Sequence, residues 1–444
     1  MVTGVGSPTV LTGLAVADAT SEPVPATATV AGGAVRVQTL TGGADLGAHV
    51  AGAALLPGLV NMHDHLRAFL PTGRASEGMP LATAITSSAA AQAVAGQDDY
   101  RALTALGAAR QVHAGVTTVV DHVYPLHRDG LLEAVVEGHR AVGLRGYVAL
   151  GIMTRGAADL CTSVEDVIGL AERAADVLLP REQLYLAPVS MRSNAPDDYA
   201  VAARAAERLG VRLYTHIAET QAEVDACHAE HGVRPVELLH HSGFLRPGTV
   251  LVHGVRLSDA EIALIAGSGA VLAYCPTNHL RFAKGFAPVT DLLAAGAAVT
   301  LGVDGMESPF HEMRQAVYAQ GQAAGDPGAL TSAQAFDMAT GAGARALGLP
   351  EGLDGADLVR IDLTAPALQP LADPVWSVVH RAAPAHVTDV VVAGRHILRD
   401  GELTAADDVA IAEEAASVIR SLAARTGSSV PQFWDIPSRT APPQ

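Results

Sequence analysis

Two histidines one residue apart, His63 and His65, are where this sequence offers the clearest chemistry. On an extended segment the side chains at i and i+2 point to one face, so both imidazoles can address a single metal ion. Further along, His216, His253 and Asp304 each close an apolar run that reads as a buried strand. Imidazole and carboxylate are the donors that zinc or a similar borderline metal accepts. A random scatter of 18 histidines would rarely put four at such positions. The spacing therefore points to a divalent metal held by His63, His65, His216 and Asp304.

These residues need elements that bring them together. Eight apolar runs read as strands: 55–62, 115–122, 144–151, 183–190, 211–218, 249–255, 270–276 and 298–304. Ala/Leu-rich helical stretches such as DYAVAARAAERLG and DAEIALIAGSG fall between them. Eight strands with helical crossovers predict an α/β fold, a closed (β/α)8 TIM-like barrel, whose strand C-termini carry active sites. The ends differ in character. Residues 1–57 and 350–405 hold short alternating runs such as ATATVAGGAVRVQTL and HVTDVVVAGRHILRDGEL, predicting one small composite β-sandwich domain. The barrel domain is then 58–349, and 406–444 is an Ala-rich helix with a frayed tail.

Composition narrows the function classes. The 444 residues are 49% hydrophobic and 17% charged, enough for a sizeable core. A net charge of −17 lacks the basic footprint of a nucleic-acid or anionic-membrane binder. Cys161, Cys227 and Cys275 lie far apart with no CxxC pair, which fits a reducing compartment. No basic segment followed by a long apolar run opens the chain, and no membrane-spanning stretch is seen, so the expectation is a cytoplasmic protein acting on a small molecule. Lys284 is the only lysine, and arginine carries the remaining positive charge.

In order, PGLVNMHDHL, THIAET, LVHGVRL, YCPTNHLRFAKGFAPV and LGVDG resemble the amidohydrolase superfamily, in its triazine-hydrolase and aminohydrolase branch. The resemblance spans almost the whole chain. It implies a metal-dependent hydrolase in which His63, His65, His216 and Asp304 hold the ion, zinc or iron. Asp304 would also take a proton from the attacking water, and His253 would stabilise the oxyanion or orient the water. Glu219, in H-x-A-E, would shuttle protons to a ring nitrogen and the leaving amine, partial burial letting it work near neutral pH. Binuclear relatives bridge two ions with a lysine after strand 4. Here that segment is LYLAPVSMRSNAP, so one ion is expected. Assembly into a dimer is expected only by analogy with relatives.

The implied reaction is hydrolytic deamination of an amino-substituted heterocycle, releasing ammonia. The alternatives are another leaving group (dechlorination, N-dealkylation, cyclic amide opening) or a metal-binding barrel without catalysis. The sequence departs from the family around the pocket mouth, at Asn278-His279, at GMESPFHEM, and in a loop after strand 1 without tryptophan. Asn278 and His279 are candidate substrate contacts. So are Arg67, Arg74, Arg192 and Arg281, any of which could fork onto a carboxylate or carbonyl. Met79, Phe282 and Phe310 read as packing residues, and Cys275 as strand filler.

Overall fold

The computed structural model describes residues 8–40, 52–67 and 77–427. Arg74 and the C-terminal tail lie outside them. Eight parallel strands form the barrel: β5 (Leu59–Asp64), β6 (Val116–Val123), β7 (Arg145–Ile152), β8 (Leu184–Pro188), β9 (Arg212–Ile217), β10 (Val250–His253), β11 (Val271–Tyr274) and β12 (Ala298–Leu301). They are buried almost throughout, as strands covered on both faces must be. The seam between first and last strand is closed by backbone: the Val303 and Asp304 N–H groups donate to His63 O at 2.9 and 3.0 Å. This seam puts Asp304 beside His63.

The remaining strands lie toward the two ends of the chain: β1 (Thr9–Ala15), β2 (Val24–Ala31), β3 (Ala34–Thr39), β4 (Ala53–Pro57), β13 (Leu358–Asp362), β14 (Val387–Val392), β15 (Arg395–Arg399) and β16 (Glu402–Leu403). They pair in the order β16-β15-β14-β13-β4-β1-β2-β3, antiparallel except for β1 with β4. The sheet curls so that Ala26, Ala28 and Val30 of β2 share a small core with Leu358 and Val391. The predicted first barrel strand, 55–62, is in fact two strands in two sheets. The chain changes sheet at Gly58, where a Cβ would sit 2.2 Å from Thr117 Oγ1. An apolar run without a polar break hid that boundary.

Arg145, on β7, joins the two sheets, pairing with Asp357 (Nη2 to Oδ1, 3.0 Å), whose Oδ1 also accepts the Ala393 N–H. The helix Asp408–Thr426 lies along the helix Gln97–His113, tied by Arg425 to Asp99 and His113 to Asp408. Among the described residues, no helix is long and apolar enough to cross a membrane.

Candidate active site

The barrel strands end in backbone that few residues tolerate. Ala218 after β9, His253 ending β10 and Asp304 after β12 have φ of +48°, +77° and +51°. Non-glycine residues are held there only when the surroundings impose it, and such strain gathers at functional sites. Within β5, Asp64 and Asn61 act as a latch. Asp64 Oδ1 accepts from the Gly305 and His65 N–H groups, while Asn61 Oδ1 accepts from Val303 N–H. The His63–His65 segment is thus locked to the loop bearing Asp304.

The predicted donors converge. The rings of His63 and His65 lie 4.8 Å apart and those of His63 and His216 4.9 Å apart. Asp304 Oδ1 is 3.2 Å from His63 Nε2 and 3.8 Å from His65 Nε2. Each imidazole is oriented through its far nitrogen: His65 Nδ1 with His122 O at 2.9 Å, His216 Nδ1 with Val189 O at 2.8 Å, and His63 Nδ1 with the Tyr214 hydroxyl. A carbonyl partner requires Nδ1 to carry the proton, which leaves Nε2 free as a ligand atom. Burial pushes His65 down to about 4 and His216 to about 3, so both are neutral at pH 7. Burial opposes ionisation of Asp304, but the His63 imidazole beside it holds the carboxyl well below its usual range. Neutral imidazoles facing a carboxylate fit a divalent cation.

His122, at the end of β6, was missed in the sequence. Its imidazole offers a donor within 4.8 Å of those of His63, His65 and His216. It is fully buried, and among the described residues neither ring nitrogen has a hydrogen-bond partner. VTTVVDH reads as an apolar strand with a polar end, and only an unexplained buried histidine could have drawn attention to it.

His253 Nε2 lies 3.3 Å from Glu219 Oε1 and 3.9 Å from Asp304 Oδ2. Its Nδ1 is 3.1 Å from His279 Nε2. Burial keeps both rings neutral, so the tautomers satisfying these contacts put the proton on Nε2 of each. His253 then presents an N–H to the site.

Glu219 departs from expectation. Burial alone would raise its carboxyl, but Lys284, then His253 and Arg192, hold it well below the usual range. Lys284 Nζ is 2.5 Å from Oε1 and Arg192 Nη2 is 2.7 Å from Oε2. The buried Glu223 accepts from the Ala218 and Glu219 N–H groups, and burial pushes it up to about 7.

The candidate substrate contacts have partners within the protein. His279 sits behind His253, and Asn278 Oδ1 holds the Lys284 ammonium. Both are almost fully buried. Arg192 is committed to Glu219 and Glu223. Arg67 is buried, its guanidinium 4.5 Å from the Tyr100 ring centroid and Nη2 donating to Tyr124 O. Arg281 stacks at 5.3 Å on Phe282. Phe282, expected only to pack, lines a cavity of about 480 Å³ with Met191, Arg192, Glu223, Arg256 and Lys284. Phe310 and Cys275 are buried, as expected.

A family model described as the amidohydrolase family matches residues 54–397. A 5-methylthioadenosine/S-adenosylhomocysteine deaminase of Halobacterium salinarum is 32% identical over 388 residues, covering 85% of this chain and 89% of that protein. A 5'-deoxyadenosine deaminase of Methanothermobacter thermautotrophicus is 33% identical over 385 residues, covering 84% and 88%. Among solved structures, a zinc-bound adenosine deaminase from Xanthomonas campestris superposes with a TM-score of 0.83 at 26% identity, covering 94% of this chain and 98% of that one. A mutant of the atrazine chlorohydrolase of Arthrobacter aurescens, complexed with zinc and atraton, shares the fold at the same TM-score and 22% identity, covering 92% and 99%.

Proposed function

The chain belongs to the amidohydrolase family, and from that premise we propose that it is a zinc-dependent deaminase of 6-aminopurine nucleosides altered at the 5' position. The observation that carries this reading is Glu219, buried between His253 and the two cations opposite it, beside the histidine–aspartate donor set. Any leaving group on such a ring calls for a proton at the ring nitrogen, but an amine must also be protonated to depart, whereas chloride leaves as the anion. Relatives named as deaminases of 5'-modified adenosines support the nucleoside class. The cavity of about 480 Å³ beside Glu219, lined partly by Met191 and Phe282, suits the sugar and its 5' group.

In this reading His63, His65, His216 and Asp304 hold one ion. When bound, such an ion would make the proton of a water held there acidic near neutral pH. Asp304 takes a proton from the attacking water, and Glu219 serves the ring nitrogen next to the amino-bearing carbon. The His253 Nε2–H faces the oxygen on which charge develops, the role of a preorganised donor. The test is ammonia release from 5'-deoxyadenosine, S-adenosylhomocysteine, guanine, pterin, cytosine and melamine, with zinc content measured in parallel. The expected outcome is one zinc per chain and turnover of the nucleosides. Glu219→Gln should lower kcat about 10²–10⁴-fold with zinc retained. Turnover confined to the other compounds would overturn the substrate assignment.

A further inference from the structure

The only lysine in this chain is almost fully buried, and it faces the carboxylate that the proposed reaction needs. Its backbone is fixed on both sides: the Lys284 N–H donates to His279 O at 2.9 Å, and Lys284 O accepts from Arg256 Nη2 at 2.5 Å. Its ammonium bridges Asn278 Oδ1 and Glu219 Oε1. Arg192 occupies Oε2, so each oxygen of Glu219 faces a cation. A carboxylate held in this way is ionised and has no proton to donate, yet a ring nitrogen under attack must receive one. Of its two cationic partners, arginine does not release protons in proteins, whereas a buried lysine can.

We propose that Lys284 is the proton source behind Glu219, handing a proton from Nζ through Oε1 to the ring nitrogen and receiving one back at the end of the cycle. This rests on the deaminase reading. As water oxygen bonds to the amino-bearing carbon, one water proton passes to Asp304. The C=N π pair moves onto the ring nitrogen, which takes the proton from Glu219 as Glu219 draws one from Lys284. The bond to the amine then breaks with its electron pair on nitrogen, and the Asp304 proton completes ammonia. The hydroxyl proton left on carbon returns through Glu219 to Lys284 as the carbonyl forms. Water enters, ammonia leaves, and the lysine is restored. Because Lys284 acts through Glu219, it is a positioning and relay residue.

Two variants test this on whichever compound of the panel above the wild type turns over fastest, so the outcome does not depend on that compound being a nucleoside. Lys284→Ala should lose about 10²-fold or more in kcat with its zinc retained. Methylamine and ethylamine should restore part of the rate, the recovered activity varying with amine basicity. Lys284→Arg keeps the positive charge without a labile proton and should stay as slow as the alanine variant. Wild-type kcat in Lys284→Arg, or a folded, zinc-loaded Lys284→Ala that no amine rescues, would overturn the relay. A third measurement needs neither turnover nor a stable Lys284 variant. Labelling with ζ-¹⁵N lysine gives a single side-chain signal for this chain, and Glu219→Gln should shift it. An unmoved signal would overturn the pairing on which the relay depends.

Discussion

Tyr214 donates nothing to a metal, yet its hydroxyl contacts His63 Nδ1 and so governs which nitrogen of that ring is free. Tyr214→Phe should weaken zinc binding about 10–100-fold in a chelator competition, the usual cost of losing such a partner. Replacing His122 by Phe tests whether its two ring nitrogens, unpartnered among the described residues, serve the ion. If they do, zinc loss to chelator should accelerate, and the visible spectrum of the cobalt-substituted protein should change. A third residue-scale prediction concerns Glu312, buried and pushed up to about 8 by that burial from an ordinary 4.5. Between those values the folded chain holds a proton that the unfolded chain has lost. Stability should therefore fall as pH rises through this window, by up to about 1.4 kcal/mol per pH unit. Asp64 and Glu223, raised to about 6 and about 7, act in the same direction. Urea unfolding of Glu312→Gln should show a visibly flatter pH dependence than wild type.

At the scale of elements, the barrel strands were legible because buried parallel strands are continuous apolar runs, and polar residues closing several of them mark the catalytic face. His216, His253 and Asp304 were found on that signal alone. The division at Gly58 was not legible, since LLPGLVNM carries no polar break where the chain leaves one sheet for the other. Nor was the clamp on Glu219, because Lys284 lies 65 residues away and the motifs say nothing of what lies opposite. The seam makes a prediction of its own. A Cβ on Gly302 would lie 2.7 Å from His63 Cβ and 2.9 Å from Cys275 Sγ. Gly302→Ala should push β5 and β12 apart, costing about 1–3 kcal/mol of stability in denaturant unfolding. It should also lower zinc content, whereas alanine at the open Gly267 should do neither.

For the molecule as a whole, the two sheets meet where Arg145 joins Asp357, at the N-terminal end of β7 and away from the catalytic mouth. The N-terminal face of such barrels serves stability rather than chemistry. Arg145→Met leaves the half-buried Asp357 without its cation. It should cost about 1–3 kcal/mol in denaturant unfolding while kcat and zinc content stay near wild type. A large loss of kcat with unchanged stability would mean that the curled sheet communicates with the site.

The single buried lysine has one more consequence, for proteolysis. A lysine-specific protease finds one cleavable bond in this chain, and the native fold hides it between β11 and β12. Cutting therefore requires that segment to open, and it yields just two fragments, 1–284 and 285–444. Their appearance over time is a two-band clock for opening of the catalytic face. On the proposed ligand set an ion would tie β12 to β5 through Asp304, so added zinc should slow it.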